Sequence, residues 1–201
     1  TSQSSRLIFE PLPGLREQLI ALADFASQEL VALQGPTLIL YAGAPGQQKA
    51  ADELGLYLQA HAWQDVHVQA YDPVQEPLPS ASRSVFYLGS SGGFSSLANR
   101  LQAAGQAPYL FAMAQQVAGD LFQVPVEFSR RVFIAYPFIP SDWTPAGRLA
   151  LTRVRESGGL GGQYAFVQVG AFSSMLLFAE AMKQAGRDAS REKLVSALEG
   201  L

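Results

Sequence analysis

The feature that most constrains this chain is a set of three apolar runs, each ending in a loop of small residues. They are Thr37-Leu38-Ile39-Leu40-Tyr41 before Ala42-Gly43-Ala44-Pro45-Gly46, Ser84-Val85-Phe86-Tyr87-Leu88 before Gly89-Ser90-Ser91-Gly92-Gly93, and Pro108-Tyr109-Leu110-Phe111-Ala112-Met113 before Ala114-Gln115-Gln116. A continuous apolar run bounded by turn residues suits a strand covered on both faces, as in a parallel sheet. Each loop leads toward a segment with helical spacing, so the loops open on one side of one sheet. Small ligands bind in such sheets at the carboxyl ends of the strands. The pattern predicts an α/β fold, a doubly wound parallel sheet in three αβα layers, with a small-molecule cleft at that edge.

The rest of the chain fits around these runs. Arg6-Leu7-Ile8-Phe9-Glu10 reads as a short strand, and Leu15 to Leu30 repeats apolar residues at helical spacing until Gly35-Pro36. Gln47 to about Ala60 is a predicted helix. Val66 to Tyr71 alternates, as an edge strand does, and Asp72 to Ser82 carries Pro73, Pro77 and Pro79 and reads as a surface loop. A helix over Phe94–Ala104, a short one over Ala118–Phe122 and a last strand over Arg131–Tyr136 complete the α/β region. Beyond it the pattern is helical: Ala146–Glu156 behind Pro145, then Tyr164–Ala185 closed by Gly186, then a helix capped by Ser190.

Composition narrows the function classes. Of 201 residues, 48% are hydrophobic and 15% charged, which supports a sizeable core and excludes a disordered chain. The formal net charge is −3 with scattered basic residues, which argues against nucleic acid as a partner. There is no cysteine, so disulfides and thiol chemistry are excluded, and an oxidising compartment is compatible. The apolar stretch Val167–Met182 is interrupted by Gln168, Gly170, Ser173, Ser174 and Glu180, and reads as a buried helix rather than a membrane span. The chain starts without Met and stops within a helical pattern, so a piece of a longer protein is expected.

No catalytic constellation stands out, and no catalytic residue or cofactor is assigned. His61 and His67 are the only histidines, and no cysteine is present to complete a metal site. Gly158 to Gly162 has a nucleotide-loop composition but lies between helices, not after a strand. Ser90 and Ser91 are candidate ligand residues, since backbone amides and hydroxyls there could hold an anion; the alternative is a tight turn and a helix cap. Gln115, with Gln116, could serve polar ligand groups or be a solvated loop residue. Tyr41 could wall the site with its ring or belong to the core.

At this point the chain resembles a known family, the periplasmic binding proteins of type I fold, in the leucine/isoleucine/valine-binding branch that serves ABC transporters. Leu7-Ile8-Phe9-Glu10-Pro11, Gln18 and Ala21 to Ala26 are similar to the family's entry into its second lobe. Val85 to Gly89, Leu101 to Gly105 and Pro108 are similar to its strand–helix stretch. Gln163-Tyr164-Ala165, Ala179 to Met182, Ala185-Gly186, Ser190 to Leu194 and Ala197-Leu198 are similar to its late helices. The order and spacing of these segments carry the resemblance, which covers most of the chain.

The resemblance implies a periplasmic or extracytoplasmic solute-binding protein, not an enzyme, that closes two lobes around a small polar ligand and delivers it to an ABC permease. It implies residues 1–138 as the second lobe with its crossing segments, and 139–201 as helices of a mostly absent first lobe. Hinges are expected at Pro11–Gly14 and Phe138–Asp142. Carried over by position, ligand contacts fall at Pro45, Ser90, Ser91 and Ala114 or Gln115. Pro45 stands where the family has Tyr, and neutral Gln115 where it often has an acid. That departure points away from a standard branched-chain amino acid and leaves amino acid-like, carboxylate and amide ligands open. A homodimer also stays open. The rival expectation is a sensor or scaffold domain that kept the fold and lost transport.

Overall fold

In a computed structural model, residues 13–30, 35–117, 119–137, 144–161, 165–187 and 189–201 are described. The expected strand at 6–10, Ala118, Tyr164, half of the expected hinge at 11–14 and all of the one at 138–142 fall outside these residues. The described residues form two compact units, Gly14–Pro137 and the helices that follow.

The three apolar runs become the centre of the sheet. Strands β1 (Thr37–Tyr41), β2 (Val66–Ala70), β3 (Ser84–Leu88), β4 (Tyr109–Met113) and β5 (Val132–Ala135) pair in parallel in the order β2-β1-β3-β4-β5. All five residues of β3 are buried, whereas β2 at the edge is half-exposed along its length. Continuous against alternating hydrophobicity thus tells central strand from edge strand.

Alternate side chains of each strand serve opposite faces. Ile39, Phe86, Leu88, Phe111 and Met113 join Leu19, Leu22 and Ala26 of α1 (Leu15–Glu29) and Leu54 and Leu58 of α2 (Pro45–Ala60). Leu38, Leu40, Val85, Tyr87, Leu110 and Ala112 join Phe94, Leu97 and Leu101 of α3 (Ser91–Ala103). Helices therefore cover both faces. On the α1 side the rings of Phe86 and Phe111 stack at 4.6 Å and those of Phe111 and Phe133 at 5.5 Å, a file of aromatics across β3, β4 and β5.

Several boundaries differ from the sequence expectation. Helix α2 starts at Pro45, whose fixed φ suits the first helical position. Helix α3 starts at Ser91, before the expected Phe94, because Ser90 caps it: its Oγ accepts from the Gly93 N–H at 3.2 Å. Gln115 is not in a loop. It lies in a helical turn, α4 (Ala114–Val117), and only a 3₁₀ turn at Leu121–Gln123 occupies the place of the expected short helix.

The connection from β2 to β3 has no helix. It passes over the α3 face, where Tyr71 and Leu78 pack into the core. Arg100 of α3 donates to the Pro73 carbonyl and to Tyr71 Oη, and Ser96 Oγ donates to the Pro73 carbonyl. These contacts hold the start of the connection beside the carboxyl edge.

The second unit comprises α5 (Pro145–Gly158), α6 (Ala165–Ala185) and α7 (Arg191–Glu199). Thr144 and Ser190 cap α5 and α7 through their hydroxyls. Helix α5 ends on Gly159, whose φ of 62° is the left-handed conformation that glycine adopts without strain. Among the described residues, no helix is long and apolar enough to cross a membrane.

Candidate ligand site at the carboxyl edge

The strand order reverses direction between β1 and β3, so the crevice expected of such a sheet lies at their carboxyl ends. A cavity of about 390 Å³ opens there. Ala42 and Gly43 after β1, Tyr71, Asp72 and Glu76 after β2, and Tyr87 and Ser90 at the end of β3 line it. The volume lies in the range of small-molecule sites, roughly 300–1,000 Å³.

Tyr87 forms the floor. It is 1% exposed, and burial pushes its phenol up to about 12, against the lowering effect of hydrogen bonds with Ser90. It stays a neutral hydroxyl at any physiological pH. The backbone is shaped to receive it: a Cβ added at Gly93 would fall 2.0 Å from the Tyr87 hydroxyl, and one at Gly89 2.2 Å. The Gly-Ser-Ser-Gly-Gly segment is thus a cradle for this ring as well as a helix start. The Tyr71 phenol is also raised by burial, with the nearby Arg100 cation acting the other way.

The rim is rich in acceptors. Asp72 Oδ1 accepts from the Val74 N–H at 2.8 Å, which fixes the carboxylate by a local turn. Glu76 sits one turn further on, with its N–H donating to the Asp72 carbonyl. Sequence reasoning placed both acids in a surface loop and missed them. The available signal was the stretch between two parallel strands without helical spacing, which has to cross the sheet as an irregular segment.

The sequence-derived candidates divide by position. Ser90 lines the cavity, and Tyr41 adjoins it through Ala42 while its ring packs against the α1-side core. Pro45 is the first residue of α2. Ser91, half-buried, lies next to Gly119, where an added Cβ would be 3.4 Å from its Oγ. Ala114 is fully buried. Gln115 follows the carboxyl end of β4, and its side-chain oxygen is buried with no hydrogen-bond partner among the described residues. Ser91, Ala114 and Gln115 are not among the residues lining this cavity.

The histidines lie apart from it. His61 stacks on Tyr57 at 3.9 Å with Nδ1 2.8 Å from the Tyr57 carbonyl, and His67 Nε2 is 2.8 Å from Asp65 Oδ1 on the surface. Among the described residues no group of three or more His, Cys, Asp or Glu side chains could hold a metal ion.

No sequence-family model matches the chain, and no curated protein matches it. Solved structures do. An extracellular ligand-binding receptor from Verminephrobacter eiseniae superposes with a TM-score of 0.73 at 16% identity, over 96% of this chain and 57% of that one. A fatty acid ABC transporter substrate-binding protein from Thermomonospora curvata gives 0.72 at 16% identity, over 98% and 54%. A leucine binding protein from Thermotoga maritima gives 0.71 at 11% identity, over 98% and 57%. At these identities the likeness is one of fold, and the fold is that of the type I periplasmic binding proteins. The chain spans 54 to 57% of the length of these three proteins.

Proposed function

We propose that this chain is part of an extracytoplasmic solute-binding component of an ABC-type uptake system. It would hold a small polar ligand at the carboxyl edge and enclose it by hinge closure between two lobes, and an ABC permease would receive the ligand. The observation that carries this reading is the cavity between the β1 and β3 loops. Its lining offers phenols, a serine and two carboxylates, and no nucleophile–base pair. The names of the structural neighbours, a leucine binding protein and substrate-binding proteins of ABC transporters, support the class.

The ligand is an amino acid or a related carboxylate or amide, and the rim favours one bearing N–H donors. Asp72 and Glu76 on the cavity wall offer carboxylate oxygens, which accept hydrogen bonds. A donor group on the ligand therefore gains at this rim, and a ligand carboxylate would face away from the two acids.

A thermal-shift panel of amino acids, amides, aromatic acids and short carboxylates on the intact protein tests this. A ligand at a hundred times its dissociation constant adds about 2.7 kcal/mol. A shift confined to one chemical class supports solute binding. A folded protein that shifts with none of them contradicts it and favours a sensor or scaffold role.

A further inference from the structure

The opposite edge of the same sheet, where the strands begin, carries a second cavity of about 560 Å³. Ser82, Arg83, Gln106, Tyr109 and Arg131 are among its lining residues, and no acidic residue is. That is notable in a chain with 17 acidic and 14 basic residues. The ion pairs among the described residues are formed by other side chains, not by Arg83 or Arg131. We infer that this cavity is a binding site for a small oxyanion, a phosphate-like or dicarboxylate group, gripped between Arg83 and Arg131.

The Arg131 side chain is anchored for such a role, and the backbone of the exposed Arg83 is fixed beside it. The Arg131 guanidinium donates to the Ala107 carbonyl at 2.8 Å and lies over the Tyr109 ring, 4.9 Å from its centroid. One carbonyl uses a small part of the donor set of a guanidinium, and the ring fixes its plane. The backbone of Arg83 is held on both sides, its N–H by the Pro36 carbonyl and its own carbonyl by the Tyr109 N–H, each at 2.9 Å. Its stem runs beside Gly35, where an added Cβ would come within 3.3 Å of Arg83 Cδ. The Ser82 hydroxyl and the Gln106 amide add neutral donors to the same wall.

Two guanidinium forks in one concave wall without a carboxylate concentrate anions and match the planar oxygens of carboxylate or the oxygens of phosphate. The inference is independent of the ligand site proposed above. That site lies at the other end of the strands and carries acids instead of arginines.

Isothermal titration of the intact protein with inorganic phosphate and, separately, with succinate tests it at low ionic strength, where screening is weak. The expected result is saturable binding of at least one of the two anions, weakened by at least about tenfold in Arg83→Ala and in Arg131→Ala, as loss of a charged hydrogen bond implies. Arg153→Ala, on the exposed face of α5, removes the same charge elsewhere and leaves the affinity unchanged. Should Arg131→Ala fail to fold, Arg83→Ala decides alone, since Arg83 holds the neighbouring strands through its backbone and the substitution leaves those bonds in place. Absence of saturable heat with both anions overturns the inference. So does undiminished binding in the arginine variants, or an equal loss in Arg153→Ala, which would reduce the effect to net charge.

Discussion

The sheet unit and the helical unit treat apolar residues in opposite ways. In β3 every residue is buried, and Phe86 and Phe111 are 0% exposed. In α6, an apolar helix of 21 residues, Val167, Met175, Leu176, Phe178 and Met182 are 40 to 65% exposed, while Val169 and Ala181 are buried. Hydrophobicity alone does not say where a side chain ends up; a partner surface does. The sheet unit supplies both of its partner surfaces from its own helices. On the proposed two-lobed reading, the exposed apolar side of α6 would meet a partner surface outside this chain, which spans 54 to 57% of the length of the three neighbours.

The contrast can be broken by mutation. Phe86→Ala should cost about 3–5 kcal/mol in urea denaturation of the isolated chain, as expected for emptying a packed core. Phe178→Ala, 45% exposed, should cost under about 1 kcal/mol in the isolated chain. Equal costs would show that α6 is as fully packed as β3.

A smaller effect sharpens the picture at the site. Gly93→Ala should destabilise by about 1–3 kcal/mol, because its Cβ meets the buried Tyr87 hydroxyl. Adding Tyr87→Phe removes that oxygen and should recover part of the loss, a coupling that a thermodynamic cycle measures. Additive losses would mean that the glycine serves the backbone and not the ring.

The phenol of Tyr87 also sets a pH dependence. It ionises near 10 when unfolded and is pushed up to about 12 in the fold, so the unfolded state loses its proton first. The contribution is fully present below pH 10 and declines as pH rises toward 12. Ultraviolet titration should find a late-ionising tyrosine, absent in Tyr87→Phe, and alkaline melts should show the variant losing less stability over that window.

The smallest difference concerns the two serine caps. Ser90→Ala should cost about 1 kcal/mol, because α3 is built into the core. Ser190→Ala should cost about 0.5 kcal/mol, the low end for a cap, since α7 has no buried residue. A larger loss at Ser190 would argue that α7 is tightly docked.

The fold was legible where hydrophobicity is local and continuous. Thr37–Tyr41, Ser84–Leu88 and Tyr109–Met113 announced central strands, and the alternation of Val66–Ala70 announced the edge. Ser90 was legible as a residue of the carboxyl edge, where it lines the cavity, because it follows such a strand after Gly89. The early start of α3 was hidden by Gly92 and Gly93, poor helix formers, of which Gly93 packs on the Tyr87 hydroxyl. Asp72 and Glu76 were hidden for another reason. Their place on the cavity wall depends on Arg100 and Ser96 holding the crossing segment, contacts more than twenty residues apart in sequence.

The most direct measurement is an NMR titration of the intact protein with the ligand class found in the thermal panel. The account predicts that the shifted amides cluster at Ala42–Gly43, Tyr71–Glu76 and Tyr87–Gly93, at the carboxyl edge of β1, β2 and β3. Shifts confined to other parts of the sheet unit, with those segments unmoved, would contradict it.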